Sequence, residues 1–313
     1  MKSQQEVLDD LYKQSNTDPH DRTDPNVAHL VVNENKVLES NTVPGLDVVV
    51  KELEDGVDVS LKLHKGIKVA KPVHICFGMY ALSGVQRIIM DVDIGDDSAI
   101  SLLAHCVFPF AVDVQHIMDA KIRIGAGAHY SYFERHIHSP KGGVKVYPKA
   151  VVHIGRKAFF KTEFELIKGR VGLIDIDYET TCEDNGVVDM TARISGRDDD
   201  IIKVKETGHL KGDHSRGLLT SKIAVRDEAR AEVYNKMTAT GAYARGHVDC
   251  KEIVQDDGVA MAVPIVEVHH PKAHITHEAA IGSVDSRQLE TLMSRGLSED
   301  AAVELIINGM LSE

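Results

Sequence analysis

Tryptophan is absent from this 313-residue chain, and aromatic residues make up only 5 % of it. The core must therefore be built from Val, Ile, Leu and Ala. That is unusual for a β-sandwich and natural for a stacked solenoid, in which small branched side chains repeat in layers. A basic surface is also missing. The net charge of −12 argues against nucleic acid as a partner, because that role needs cationic faces to displace counterions. No run of about 18 apolar residues is present to cross a bilayer, and the opening MKSQQEVLDD carries no apolar signal core. A cytoplasmic chain without a membrane segment is the expectation. Cys76, Cys106, Cys182 and Cys250 lie far apart with no C-x-x-C, so reduced thiols are expected rather than a disulfide framework or a zinc ribbon. G-x-x-x-x-G-K-[ST], G-x-S-x-G and a strand-to-helix G-x-G-x-x-G are all missing, so neither P-loop ATP hydrolysis nor a standard catalytic constellation is written here.

What is present divides by period. Ser3-Gln4-Gln5-Glu6 has the form of a capping box, with Val7, Leu8 and Leu11 following at helical spacing. A polar run from Ser15 to Asn26 with Pro19 and Pro25 should end that helix, leaving residues 1–42 as a short helix and arm. From about Val43 to Val268 the period is two: Val57, Val59, Leu61 and Leu63 alternate with Asp58, Ser60, Lys62 and His64, the mark of a half-buried strand. Turns such as Asp55-Gly56, Gly95-Asp96, Gly125-Ala126-Gly127, Asn185-Gly186 and Lys211-Gly212 separate such strands. No interposed helical pattern makes βαβ units, so the body, residues 43–282, is all-β. Sandwich, barrel and parallel β-helix all fit, and no strict hexapeptide or nonapeptide period selects among them.

Residues 283–313 return to helical spacing. Asp285 or Ser286 can cap a helix carrying Leu289, Leu292 and Met293, and Gly296 can close it in the left-handed conformation. Ser298 then caps a second helix with Glu299 and Asp300 in its first turn and Gly309 just past its end. A stripe of Ala302, Leu305, Ile306 and Gly309 on that helix needs a partner surface. The wording of the segment is specific: HEAAIG, then D-x-x-Q-L, then SRGLS-x-x-A resembles the C-terminal signature of the SufB/SufD family, scaffold proteins of iron–sulfur cluster assembly. The resemblance is sharpest over residues 200–310.

That resemblance implies a mainly β fold, a right-handed parallel β-helix flanked by short helical N- and C-terminal segments. It implies a scaffold rather than an enzyme. A SufC-like ABC-type ATPase would dock on the C-terminal hairpin and hydrolyse the ATP, a sulfur donor would feed the site, and apo iron–sulfur proteins would receive the transient cluster. The short N-terminal part resembles a minimal, archaeal SufB-type chain that works as a homodimer without a separate SufD.

By itself Cys250 reads as a small buried hydrophobe, and His277-Glu278 as an exposed turn. The resemblance implies otherwise. Cys250 takes the place of the cluster-assembly cysteine, and Glu278 with His277 supplies the acidic and imidazole ligands. A mixed Cys/Glu/His shell holds a cluster less firmly than four thiolates, so the cluster can be passed on. His274 is a further candidate ligand, and Cys182 a candidate for the sulfur-entry cysteine inside the β-helix. His269 and His270 point to opposite faces if extended, so at most one joins His277. A competing class remains, a metal-dependent all-β enzyme of cupin-like or sugar-modifying type. It would use His136 and His138, which follow Glu134 and share one strand face, although surface histidines on a strand are the plainer expectation for that pair.

Overall fold

The computed structural model describes residues 3–15 and 19–312; residues 16–18 of the polar run therefore lie outside the described residues. Helix α1 (Gln4–Ser15) begins at the expected capping box, where the Glu6 amide donates to Ser3 Oγ (3.3 Å) and the Ser3 amide to Glu6 Oε2 (2.7 Å). After α2 (Pro19–Thr23) come the strands: β1 (His29–Asn33), β2 (Lys36–Asn41), β3 (Leu46–Glu52), β4 (Gly56–Leu63), β5 (Val73–Gly78), β6 (Ser83–Ile94), β7 (Ala99–Phe108), β8 (Asp113–Ile124), β9 (His129–His138), β10 (Val144–Ile154), β11 (Phe159–Lys168), β12 (Leu173–Cys182), β13 (Val187–Gly196), β14 (Ile201–Leu210), β15 (Arg216–Val225), β16 (Arg230–Ala239), β17 (Arg245–Val254), β18 (Val259–Val268) and β19 (His274–Gly282). Helices α3 (Ser286–Ser294) and α4 (Glu299–Ser312) complete the chain.

From β4 onward the strands alternate between two sheets, the odd ones in one and the even ones in the other. Each strand pairs in parallel with the strand two places on, which makes a parallel β-solenoid of about eight turns. Ala99, His129, Phe159, Val187, Arg216, Arg245 and His274 sit in register, 28–30 residues apart. One coil is thus 28–30 residues, far longer than the hexapeptide and nonapeptide periods sought in the sequence. Alternate residues of every strand face inward, and the inward columns are mostly Val, Ile, Leu and Ala, as the scarcity of aromatics requires.

The coils are held in register at their turns. Asp97, Gly127, Lys157, Asn185, His214 and Tyr243 all take the left-handed conformation. For the first five, the N–H donates at 2.8 Å to a carbonyl of the next coil, those of Ala126, Arg156, Asp184, Asp213 and Ala242. Two glycines make the stacking possible. A Cβ on Gly212 would lie 2.0 Å from the Asp184 amide nitrogen, and one on Gly241 would lie 2.0 Å from the Gly212 carbonyl oxygen.

The two ends differ. At the start, β2 and β3 pair antiparallel with β1 and β4, and α1 lays Val7, Leu8 and Leu11 on Val31, Cys76 and Val107. At the finish, β18 and β19 are the outermost strands of their sheets, with one edge unpaired among the described residues. Val259, Met261, Ile265, Val268 and Ile281 are exposed there.

The C-terminal hairpin does not cover that end. Asp285 is the cap of α3, accepting the Gln288 amide (2.8 Å), and Gly296 closes it at φ +98°. Helix α4 runs on through Gly309 to Ser312 rather than stopping before it, because the next turn brings Leu311 onto the solenoid. The expected stripe is divided. Ala302 is buried but lies on a different side of α4 from Ile307 and Leu311, which form the face that meets the solenoid, whereas Leu305 stays 52 % exposed. Ile307 and Leu311 each contribute roughly 1.5–3 kcal/mol by burial. Glu304 adds ion pairs to Arg197 and Arg226.

Candidate functional site

Cys250 lies in the middle of β17, fully buried. Its inward column runs Ala192, Ser221, Cys250, Ala279 across adjacent coils. From the opposite sheet Asn235 reaches it, with Nδ2 3.9 Å from the sulfur. Glu252, two residues on and on the same face, accepts from Ser221 Oγ (3.1 Å). Glu206 sits beside Asn235 in the facing column. Burial pushes the Cys250 thiol up to about 11, Glu252 to about 7 and Glu206 to about 8. Glu252 Oε2, Glu206 Oε2 and Asn235 Oδ1 have no hydrogen-bond partner within the protein. This is a pocket of unsatisfied polar atoms around a protonated thiol, one strand in from the open end.

His277 and Glu278 lie on β19, both exposed. Their register separates them. His277 aligns with inward-facing Val248, so it shares the inner face with Cys250. Glu278 aligns with Asp249 and, like His274 opposite Arg245, belongs to the outer face. The carboxylate on the inner face with Cys250 is that of Glu252, which sequence reading did not single out. The available signal was its i+2 spacing from Cys250 on a strand.

Cys182 is placed in neither polar group. It fills one position of an aliphatic column, Ile124, Ile154, Cys182, Leu210, Ala239, and burial raises its thiol to about 12.

A second polar group lies deeper, and it corrects the expectation that His136 and His138 are surface residues. Both face inward and are buried, because β9 alternates Tyr130, Tyr132, Glu134, His136 and His138 into the core. Cys106 stacks on His136 in the same column, and His116 comes across from β8. Ligand atoms of Cys106, His116 and His136 lie within 4.8 Å of one another, and all three residues are buried. Burial holds His116, His136 and His138 down to about 3, and raises Glu134. Phe108 and Phe164 enclose the group, with the Phe164 ring 4.8 Å from that of His136. No linear motif announces this cluster, since its members come from three strands of two sheets. The one hint is the 30-residue interval from Cys106 to His136, which is one coil. Five strand-to-strand steps, β7 to β17, separate Cys106 from Cys250, about 24 Å at ~4.8 Å each.

Comparison with known proteins agrees with this architecture. Residues 85–310 match the family described as SUF system FeS cluster assembly, SufBD core domain. A SufBD family iron–sulfur cluster assembly protein of Methanocaldococcus jannaschii is 36 % identical over 284 residues, 91 % of this chain and 90 % of that protein. One from Pyrococcus horikoshii is 33 % identical over 308 residues, 98 % of this chain and 94 % of that protein. A second P. horikoshii member is 27 % identical over 264 residues, 81 % of this chain and 56 % of its own length. Among the described residues no helix is long and apolar enough to cross a membrane.

Proposed function

This chain belongs to the SufBD family of iron–sulfur cluster assembly proteins, and from that premise we propose that it is the scaffold on which a nascent cluster is built and from which it passes to apo-proteins. The observation that carries this reading is the pocket at the open end. Cys250 is a thiol beside two acids and one amide with unsatisfied atoms, beneath one final coil whose edge is unpaired among the described residues. Iron and sulfide are the substrates. Cys250 would ligate the iron as a thiolate, with His277 on the same inner face. Glu278 reaches the site only when β19 turns or leaves its place, because its register points it outward; Glu252 is the carboxylate already there.

A thiol held at about 11 is a poor ligand. Loading therefore requires that the last coil open and admit water. The ATPase partner supplies that work: a SufC-like ABC-type subunit docks on the C-terminal hairpin, on α3 and the exposed side of α4 around Leu305, and pulls on the flank to which α4 is fixed. The free edges of β18 and β19, with their exposed apolar residues, fit a second copy of the chain, so that a cytoplasmic homodimer brings two Cys250 pockets face to face. Three ligands per chain then become enough for a cluster that needs about four.

Anaerobic reconstitution with iron and sulfide tests this. Wild-type protein is expected to gain a sulfide-to-iron absorption band, Cys250→Ser to lose it, and Cys182→Ser to keep it. Binding of iron alone with no sulfide incorporation would favour a mononuclear metal protein and overturn the scaffold reading.

A further inference from the structure

The deep cluster is separate from the pocket at Cys250, and hydrogen bonding fixes its protonation pattern. Gln86 Nε2 donates to two backbone carbonyls, those of Glu34 (2.9 Å) and Gly78 (2.8 Å), which pins the amide so that Oε1 faces His116. That oxygen, 3.0 Å from His116 Nδ1, can only accept. His116 therefore carries its proton on Nδ1, and its bare Nε2 has no partner within the protein. On the other side the Arg170 carbonyl, 2.8 Å from His138 Nδ1, requires a proton there. His138 Nε2 is then the acceptor for His136 Nδ1 at 3.3 Å. This leaves a lone pair on His136 Nε2, 2.8 Å from Glu134 Oε1. Two imidazoles with a bare Nε2 thus sit in one buried group with the Cys106 sulfur, each oriented from behind by a side-chain amide or a second imidazole. That is the arrangement by which outer partners fix metal-binding histidines.

We propose that Cys106, His116 and His136, with Glu134 as the fourth donor, form a site for one divalent transition-metal ion of the Zn²⁺ or Fe²⁺ type. A tetrahedral site with metal–nitrogen bonds of ~2.0 Å and metal–sulfur bonds of ~2.3 Å has ligand–ligand edges of about 3.5 Å. The three ligand atoms, within 4.8 Å of one another, need draw together by little more than 1 Å. Cys106 Sγ is already 3.8 Å from Glu134 Oε1. Glu134 Oε2, buried without a partner, gains one when the carboxylate binds. One thiolate, two imidazoles and one carboxylate suit a borderline-soft divalent ion and exclude Ca²⁺ and Mg²⁺, which take oxygen ligands. Loading releases the protons of Cys106 and Glu134.

Because the site is enclosed, the test loads it during folding. The full chain is unfolded in denaturant under anaerobic reducing conditions and refolded with Co²⁺, and separately with Zn²⁺ or Fe²⁺. Loosely held ion is then removed by a chelator. Wild-type protein is expected to retain about one ion per chain and, with Co²⁺, to show a thiolate-to-cobalt charge-transfer band. Cys106→Ser should lose that band. His116→Gln should bind at least about tenfold more weakly, and Gln86→Leu about tenfold. Cys182→Ser, which lies in neither polar group, should match wild type. Failure of wild-type protein to retain any of the three ions, whatever the variants do, would make the cluster a hydrogen-bonded core and overturn the proposal. A charge-transfer band that survives Cys106→Ser but disappears in Cys250→Ser would overturn it equally.

Discussion

Cys106 and Cys250 occupy inward positions on the same sheet of the same solenoid, yet their surroundings are opposite in kind. Cys106 stands between Phe77 and His136, with coils continuing on both sides, and its neighbours are imidazoles whose tautomers are set by a side-chain amide, a backbone carbonyl and a second imidazole. Cys250 stands between Ser221 and the exposed β19, and its neighbours are acids and an amide left with open valences. The difference teaches that depth along a solenoid separates keeping from releasing. A coil touches only its two neighbours, so a group one coil from a free end opens at the cost of one interface, whereas a group in the middle opens only with several.

Thiol labelling is the most sensitive way to break this contrast. In the native protein Cys250 is expected to react with a thiol reagent at least about a hundredfold faster than Cys106, since local opening at an end is cheaper than opening the middle. Mass spectrometry of labelled peptides would show it, and equal rates would mean that both thiols open together. Glu206→Gln should have the next largest effect. The native pKa of about 8 lies above the carboxyl's ordinary 4.5, so the folded state binds more protons than the unfolded one between those values. The contribution of this group is fully present below pH 4.5 and is lost as pH rises through about 8, with a slope of at most about 1.4 kcal/mol per pH unit. The Gln variant should flatten that part of the stability profile in denaturant titrations at pH 5 to 8. Glu252→Gln against Glu278→Ala sharpens the comparison within the open end. Both should lower reconstituted cluster yield, but only Glu278→Ala should leave the native Cys250 labelling rate unchanged, because Glu278 lies on the outer face. Leu305→Ala is expected to have the smallest effect on stability, within about 0.5 kcal/mol for an exposed position, while weakening capture of the ATPase in a pull-down.

The alternation of Val57 to Leu63 and the turn glycines made the strands legible, and the HEAAIG to SRGLS wording led to the family. The coil length was not legible as a repeat because its markers differ in identity. Asp97, Gly127, Lys157, Asn185, His214 and Tyr243 share a left-handed backbone rather than a side chain. The candidate site was legible only along the chain. Cys250 was found from its place before the His-Glu pair, but the opposite facing of His277 and Glu278 needed the register of β17 on β19. Glu206 and Asn235 arrive from the other sheet, with no trace in the spacing around Cys250. His136 and His138 were read as surface residues because histidine is polar, whereas the strand's alternation with Tyr130, Tyr132 and Glu134 carries them inside.

The turn ladder also makes the molecule a ruler. Because five successive coils repeat the same backbone donor and acceptor at their corners, a whole coil of 28–30 residues can be added or removed there without orphaning a hydrogen bond, while a gain of one or two residues in a strand would break the register. The separation between the inner thiols is therefore graduated, set in ticks of ~4.8 Å. Descent with whole-coil duplication or deletion would change how far apart they stand without changing what either one touches.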